Sequence, residues 1–561
     1  MVTSLLFINT FPGEFVWDDY PVIVDNPEIK YWHFWDLWGI RSLSTRILSL
    51  MLDYHFFGMS PYGYHFQNIL WHLLSVLLLY IVYIKLTGNK LLSFIGSLIY
   101  TVHPIHVEAV ANISHRKDPL CMTFSLLTFL LYIKYIESQN RNQWLWIPIV
   151  LCWFIAFHSK GVALAIPIYL AAYEYVFVPK ENRFLIRKPR LFIFGSSFIG
   201  LLIYHYLTYN IVFFKNGYIG NASIFSLIVN TPQAILTYMK LFIFPLNLSP
   251  QHVVTAYDTM IDPVAIMSWI AMLVLLILPF YLCRRMPLVS FGLFWFFINY
   301  IPVSSIVPLT YVVADRYMYI PSAGFCLIFV HVGQKFYEKL SSHYDQDFAL
   351  KVTSTIFIII LILYSSKTIT YNSIWINEKK LWDHAVNVSK NSNTAFFNRG
   401  LMSYRDGNVE QAINDYSVAI MLNPFDVEAL YNRGTIYYEI DKNEMAIEDF
   451  NSAIELNPLH SEIYINRGNV YFKIGMFKQA MKDYNKAIKV DPEDEKAYFN
   501  RALIHEKMGE YQLAIKNYLK AVKYSPEYAE AYYRLATIYS RMGYSEQAQL
   551  YYDKASETTL K

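Results

Sequence analysis

The chain has 561 residues, 55% hydrophobic and 17% aromatic but only 16% charged, which excludes a single well-mixed water-soluble globule. A net charge of +3 at this size argues against nucleic-acid binding. Residues 391–561 hold 44 of the 91 acidic and basic side chains, so the upstream part reads as a membrane domain and the downstream part as a water-soluble one.

In chain order, 1–11 is apolar but too short to cross a bilayer alone, and it reads as the end of a first span cut short. The loop 12–65 carries Phe15-Val16-Trp17-Asp18-Asp19-Tyr20, then Asn26-Pro27, then an aromatic stretch over 31–38 suited to an interfacial helix. Apolar runs follow at roughly 66–86, 91–105, 119–137, 144–159, 161–179, 191–213, 263–282, 288–304, 320–335 and 352–368, giving about eleven spans with the first. The run 223–245 is interrupted by Pro232 and Pro245 and reads as amphipathic or re-entrant. Cys121, Cys152, Cys283 and Cys326 lie in or beside these apolar stretches without metal-ligand spacing, so neither a disulfide framework nor a zinc site follows.

Lys and Arg concentrate in alternate short loops, at Lys85 and Lys90, Lys134 and Arg141, 180–190, Arg284 and Arg285, and Lys335 to Lys351. The positive-inside rule makes these cytoplasmic. The opposite set then carries four clusters on the face that this bias depletes. They are His103-Pro104-Ile105-His106-Val107-Glu108, His115-Arg116-Lys117-Asp118, Ser159-Lys160-Gly161, and 314–324 with Arg316 and Tyr319. All share the side of Asp18 and Asp19. Charges placed against the bias at membrane level point to a pocket for an anion, with a lipid phosphate as a fitting ligand. Adjacent carboxylates repel and lose solvation, which raises the proton affinity of at least one and favours a general base. Taken singly, each cluster is equally a headgroup anchor or an internal ion pair. No carboxylate-rich shell surrounds His103 and His106, so no metal is expected.

Downstream, 371–390 connects to five helix pairs over 391–561. Pro424, Pro458, Pro492 and Pro526 are 34 residues apart, the tetratricopeptide period, with small residues at Gly400, Gly434, Gly468 and Ala502. Before each stands an asparagine: Asn398, Asn432, Asn466 and Asn500. The pattern resembles the asparagine ladder of the O-GlcNAc transferase superhelix, in which amides hold a peptide backbone. An amide offers donor and acceptor together, so a ladder grips a chain without reading its side chains. The plainer alternative is an asparagine that caps local turns. Parity of the spans places these repeats on the same far face.

The ordered motifs resemble the transmembrane and tetratricopeptide-repeat containing family and its bacterial relatives. They include Phe15-Val16-x-Asp18-Asp19, Gly63-Tyr64-His65-x-x-Asn68, the His103–Val110 stretch, Arg116-Lys117-Asp118, Ser159-Lys160 with Pro167, and Arg316-Tyr317-x-Tyr319-Ile320-Pro321-Ser322-x-Gly324. The resemblance implies an all-α fold, a polytopic C-type glycosyltransferase domain over 1–370 followed by a tetratricopeptide solenoid. It also implies transfer of a sugar from a polyprenyl-phosphate donor to Ser or Thr of a protein acceptor held by the repeats. Asp18, with Asp19 as second choice, would be the base; Arg116, Lys117, Lys160 and Arg316 would neutralise the leaving phosphate. His103, His106, Glu108, Asp118 and Tyr319 are further pocket candidates. The family often has an acidic residue where Gly161 stands, a role that Glu108 or Asp118 would then supply, and neither Arg41 nor Arg46 matches its usual Arg-Pro pair. No cofactor beyond the donor is implied, and the partners are membrane lipid, donor and protein acceptor. The alternatives are a non-catalytic membrane-anchored scaffold, or transfer to a glycan. Compact loops and consensus-like repeats point to a prokaryotic plasma membrane, and in a eukaryote the membrane would be the endoplasmic reticulum.

Overall fold

The computed structural model describes residues 2–30, 44–138, 142–185, 224–253, 262–304 and 313–559. Its regular structure is helical, with one isolated antiparallel bridge between His252 and Val313. The chain divides into two compact units, Met1–Lys390 and Asn391–Lys561.

In the first unit, four helices among the described residues are long and apolar enough to cross a bilayer: Pro61–Thr87, Ile113–Glu137, Pro263–Leu282 and Gln346–Ile376. Local chemistry sets their ends. Proline at the first position starts Pro61–Thr87 and Pro263–Leu282, where its missing N–H is not needed. Asp262 and Asp345 accept from free backbone N–H groups at two starts, and Gly88, at φ 68°, closes Pro61–Thr87. A further pair, Lys90–Val102 with Pro104–Ala111, is long and apolar enough only when its two helices are taken together, and it is bent by 54° between them. Pro104 cannot continue the hydrogen-bond ladder, and His103 Nδ1 takes over as cap by accepting from Ile105 N–H at 3.2 Å. Three shorter apolar helices, Gln143–Ser159, Gly161–Phe177 and Pro287–Val303, cover the runs expected near them. The run 320–335 falls in the helix Ser322–Ser341, and 223–245 forms one helix, Ile224–Ile243, that keeps Pro232 inside it. The expected span 191–213 and the aromatic stretch 31–38 lie outside the described residues.

Close packing in this unit depends on small residues. A Cβ on Gly324 would lie 2.2 Å from the carbonyl oxygen of Gly292, so the helices Pro287–Tyr300 and Ser322–Ser341 meet backbone to backbone. The two ends of the helix Lys117–Glu137 separate two polar regions. At one end Glu137 pairs with Lys85 at 2.8 Å, and at the other Lys117 and Asp118 join the clustered charges described below. Twenty-one residues at 1.5 Å each place these regions about 30 Å apart, the thickness of a hydrocarbon core.

The second unit is five antiparallel helix pairs, from Asn393–Arg405 with Val409–Leu422 to Ala529–Arg541 with Ser545–Thr559. Alanines of the repeat, among them Ala412, Ala446, Ala480 and Ala514, are fully buried where paired helices touch. Turns within the pairs use a left-handed residue, Gly407, Gly475, Gly509 and Gly543, with Asp441 at φ 63° in the second repeat. An arginine fork ties each of the first three pairs together. Arg399 holds Asp415, Arg433 holds Asp449 and Arg467 holds Asp483, each through Nε and Nη2 at 2.7–2.9 Å.

Candidate functional site

The turn that carries the paired aspartates is built by the second of them. Asp19 is completely buried, and its two carboxylate oxygens accept from Val16 N–H at 3.1 Å and from Ser114 N–H at 2.6 Å. One bond closes the turn on itself; the other fastens it to the segment that carries His115 to Asp118. Trp17, between them, takes φ 50°, a conformation costly for a bulky residue and held here by its surroundings. Its N–H donates to Glu378 at 3.1 Å and its ring meets that of Trp382 edge-on at 5.3 Å. The segment 371–390, read from sequence as a connector, thus forms the helix Glu378–Val388 and buttresses the turn.

Asp18 emerges from this frame in a different environment. Its side chain is 37% exposed, and its Oδ2 lies 3.3 Å from His115 Nε2. Burial acts to raise its pKa, but His115, Arg316 and Lys117 outweigh that and hold the carboxyl down at about 2. Burial dominates at Asp19, pushing it up to about 7 against the hydrogen bonds from Val16 and Ser114. The raised proton affinity expected of the pair therefore sits on the enclosed aspartate, and the accessible one is the ionised one.

Four separated sequence clusters converge on Asp18. His115 lies between Asp18 and Glu108, 3.9 Å from the latter. Glu108 accepts from the Arg316 backbone N–H at 2.9 Å and pairs with its guanidinium, which also faces the rings of Trp17 and Tyr317 at 5.6 and 5.1 Å. Lys160 pairs with Asp118 and stands 5.6 Å over the Tyr317 ring. Asp118 thus faces the turn where Gly161 stands. Lys117 is half-buried and acts electrostatically on Asp18, and its ammonium has no ion pair or hydrogen bond among the described residues.

Other candidates lie apart from Asp18. Arg116 is completely buried, paired with Asp53, with Nε donating to Asn68 at 2.6 Å and Nη2 to the Tyr64 carbonyl at 2.9 Å. These contacts make it a brace between helices. Tyr319 is also enclosed, its hydroxyl 2.6 Å from His72 Nδ1. His106 bridges the Tyr100 carbonyl at 2.7 Å and the Ser322 hydroxyl at 2.8 Å, and His103 stacks on Phe242 at 4.5 Å. No group of three His, Cys, Asp or Glu among the described residues is placed to hold a metal ion.

Two neighbours of these groups were given no role by sequence reasoning. Arg46 donates to the Ser114 carbonyl at 3.4 Å, and the charges of Asp18 and Asp118 act on it. It stands in the first turn of the helix Thr45–Phe57, capped by Ser44, where no motif spacing marks it out. Asp315 accepts from Ser249 N–H at 3.0 Å, His252 at 2.7 Å and the Tyr371 hydroxyl at 3.0 Å, fixing the short helix that presents Arg316. Its position directly before the Arg-Tyr motif was the available clue.

On the repeats, the ladder asparagines are partly engaged within the solenoid. Asn398 bonds its own helix at Thr394 O, 2.8 Å, while Asn466 and Asn500 reach back to the preceding repeat, to the Tyr431 hydroxyl and Asn469 Oδ1, both at 2.9 Å. Asn432 lies half-buried against Tyr416. In Asn466 and Asn500 an amide N–H thus links one repeat to the one before it.

Residues 49–208 match the family model described as dolichyl-phosphate-mannose-protein mannosyltransferase, and tetratricopeptide models match at 400–441, 427–459, 468–509, 507–543 and 529–559. A protein O-mannosyl-transferase of Caenorhabditis elegans is 26% identical over 450 residues, 74% of this chain and 61% of that one. The protein O-mannosyl-transferase TMTC3 of Homo sapiens is 26% identical over 484 residues, 76% of this chain and 51% of that one. The chain therefore spans about half to three-fifths of the length of these curated relatives. Among solved structures, the crystal structure of MamA is 28% identical over 28% of this chain and 94% of that one, with a TM-score of 0.27.

Proposed function

We infer that this relative of the TMTC protein O-mannosyl-transferases, a mannosyltransferase-type membrane region followed by tetratricopeptide repeats, is itself a protein glycosyltransferase. Its donor would be a sugar carried on a polyprenyl phosphate and its acceptor a Ser or Thr hydroxyl. The observation that carries this reading is Asp18: an ionised, partly exposed carboxylate facing His115, under the field of Lys117 and Arg316.

In the proposed step the acceptor oxygen attacks the anomeric carbon while its proton passes to Asp18 Oδ, and the bond from that carbon to the phosphate oxygen breaks, its electron pair leaving with the polyprenyl phosphate. A carboxyl held near 2 by its cationic neighbours is a weak base. Binding the donor changes this. A phosphate beside Lys117, Arg46, Lys160 and Arg316 neutralises part of the field that depresses Asp18, so its proton affinity rises when the reaction needs it. Lys117, whose ammonium has no ion pair or hydrogen bond among the described residues, is the cation most available to the phosphate. Arg316 and Lys160 remain tied to Glu108 and Asp118 and act mainly by charge. Arg116 belongs to the scaffold in this reading.

The test uses purified full-length protein, a radiolabelled polyprenyl-phosphate sugar and a protein acceptor. Asp18→Asn should fold and insert normally while transfer falls by about a hundredfold or more. Near-normal transfer by this variant would remove carboxylate base catalysis. Lys117→Ala should raise KM for the donor more than it lowers kcat.

A further inference from the structure

The fourth repeat breaks the charge pattern of the three before it. At the position of Asp415, Asp449 and Asp483 it carries Asn517. Arg501 donates to Asn517 Oδ1 through Nε at 2.9 Å and Nη2 at 2.6 Å, and to Asn485 Oδ1 through Nη1 at 2.6 Å. Its hydrogen bonds are kept, but amide oxygens do not neutralise its charge. Burial therefore lowers the pKa of Arg501, with only Tyr498 opposing, whereas Asp449 and Asp483 overcome burial and raise those of Arg433 and Arg467.

Beside Arg501 lies an open cavity of about 340 Å³ between the helices Phe477–Val490, Glu495–Lys507 and Tyr511–Tyr524. Lys516 and Lys520, both exposed, line it with Arg501 and His505. Lys520 Nζ stands 4.9 Å over the Tyr498 ring, and the Arg501 guanidinium 5.4 Å from that ring, so the two cations share one neighbourhood. No carboxylate lines the cavity; Glu510, paired with His505 at 2.6 Å, is the neighbouring acid. The outer helices carry the same bias. Asn443–Leu456 has four acidic residues and no basic one, while Tyr511–Tyr524 has three lysines and no acid.

We propose that the cavity around Arg501, Lys516 and Lys520 binds the carboxylate side chains of an acidic peptide segment. The cleft is open and its cations stand on two helices, an arrangement that suits successive carboxylates along an extended chain better than a closed cage for one small oxyanion. Arg501 contributes charge that no carboxylate neutralises, because its fork is already occupied by amides, and the two lysines supply ammonium groups with no ion pair among the described residues. An aspartate at 517 would pair with Arg501 as in the other repeats and benefit the solenoid. Asparagine there gives up that pair and keeps the site cationic. The site concerns the repeats alone and stands whether or not the membrane unit transfers sugar.

The experiment is anisotropy of a fluorescein-labelled oligoglutamate peptide with the full chain in detergent micelles. Asn517→Asp should weaken binding about tenfold while raising the unfolding temperature of the repeats, since it restores the missing pair. Lys516→Ser with Lys520→Ser, both at exposed positions, should weaken binding comparably with no change in unfolding. Unaltered affinity in both variants, or equal affinity for oligoglutamine, overturns the proposal. Displacement of the peptide by inorganic phosphate, where chloride of equal ionic strength has no effect, reassigns the cavity to a small oxyanion and overturns the peptide reading.

Discussion

Trp17 takes a left-handed backbone so that its two neighbours on the far side of the turn can point in opposite directions, Asp19 into the protein and Asp18 toward the clustered cations. The adjacency of two carboxylates was plain in sequence and implied that one would hold its proton tightly. Burial decides which one, against the hydrogen bonds that Asp19 accepts, and it comes with a contact to Ser114, 95 residues away, that no local pattern encodes. The buried aspartate carries a consequence for stability. Its folded pKa of about 7 exceeds the value near 3.9 expected in an unfolded chain, so the folded state binds the proton more tightly. Stability from this group is fully present below about pH 4 and is lost as the pH rises toward 7. Asp19→Asn stays neutral throughout, although it offers one acceptor where two backbone N–H groups need one. Unfolding midpoints measured from pH 5 to pH 8 should therefore decline less steeply in Asp19→Asn than in the natural chain, and parallel slopes would contradict a protonated Asp19.

Elements were legible where a period repeats and obscure where tertiary contact replaces one. The 34-residue spacing of four prolines and the buried alanines gave the helix pairs directly, and proline at helix starts placed several spans. The bend at Pro104 was readable as a proline break, but its angle follows from the His103 cap and from packing. Likewise Gly324 stood in a motif without a visible reason until its approach to Gly292 was known. Within the repeats, Asp441 occupies a left-handed turn that glycine fills at the four equivalent positions. Its pair with Lys473 is largely exposed and contributes little. Asp441→Gly should consequently stabilise the second repeat by about 0.5–1 kcal/mol, seen as slower hydrogen exchange of amides in Val427–Glu439 and Asn443–Leu456. Faster exchange there would mean that the aspartate makes a local contact worth more than the backbone strain.

At the scale of the whole molecule, one helix separates charges drawn from the two alternating sets of loops. Asp18, Glu108, His115, Lys160 and Arg316 meet at one end of the helix Lys117–Glu137, and Lys85 meets Glu137 at the other. By the positive-inside rule, the excess of Lys and Arg in the loops of the Lys85–Glu137 end predicts that end to be cytoplasmic and Asp18 to lie across the bilayer. For a protein acceptor to be delivered to Asp18, the repeats must share its compartment. Two single cysteines placed in a cysteine-free background, at exposed Glu14 beside the Asp18 turn and at exposed Glu444 in the second repeat, should react with a membrane-impermeant maleimide added outside sealed cells. A cysteine at exposed Ser342, in the opposite set, should react only after permeabilisation. Labelling of position 14 without position 444 would separate the repeats from the carboxylate and leave them without a part in the transfer, since no acceptor bound to them could reach a base on the other side of the membrane.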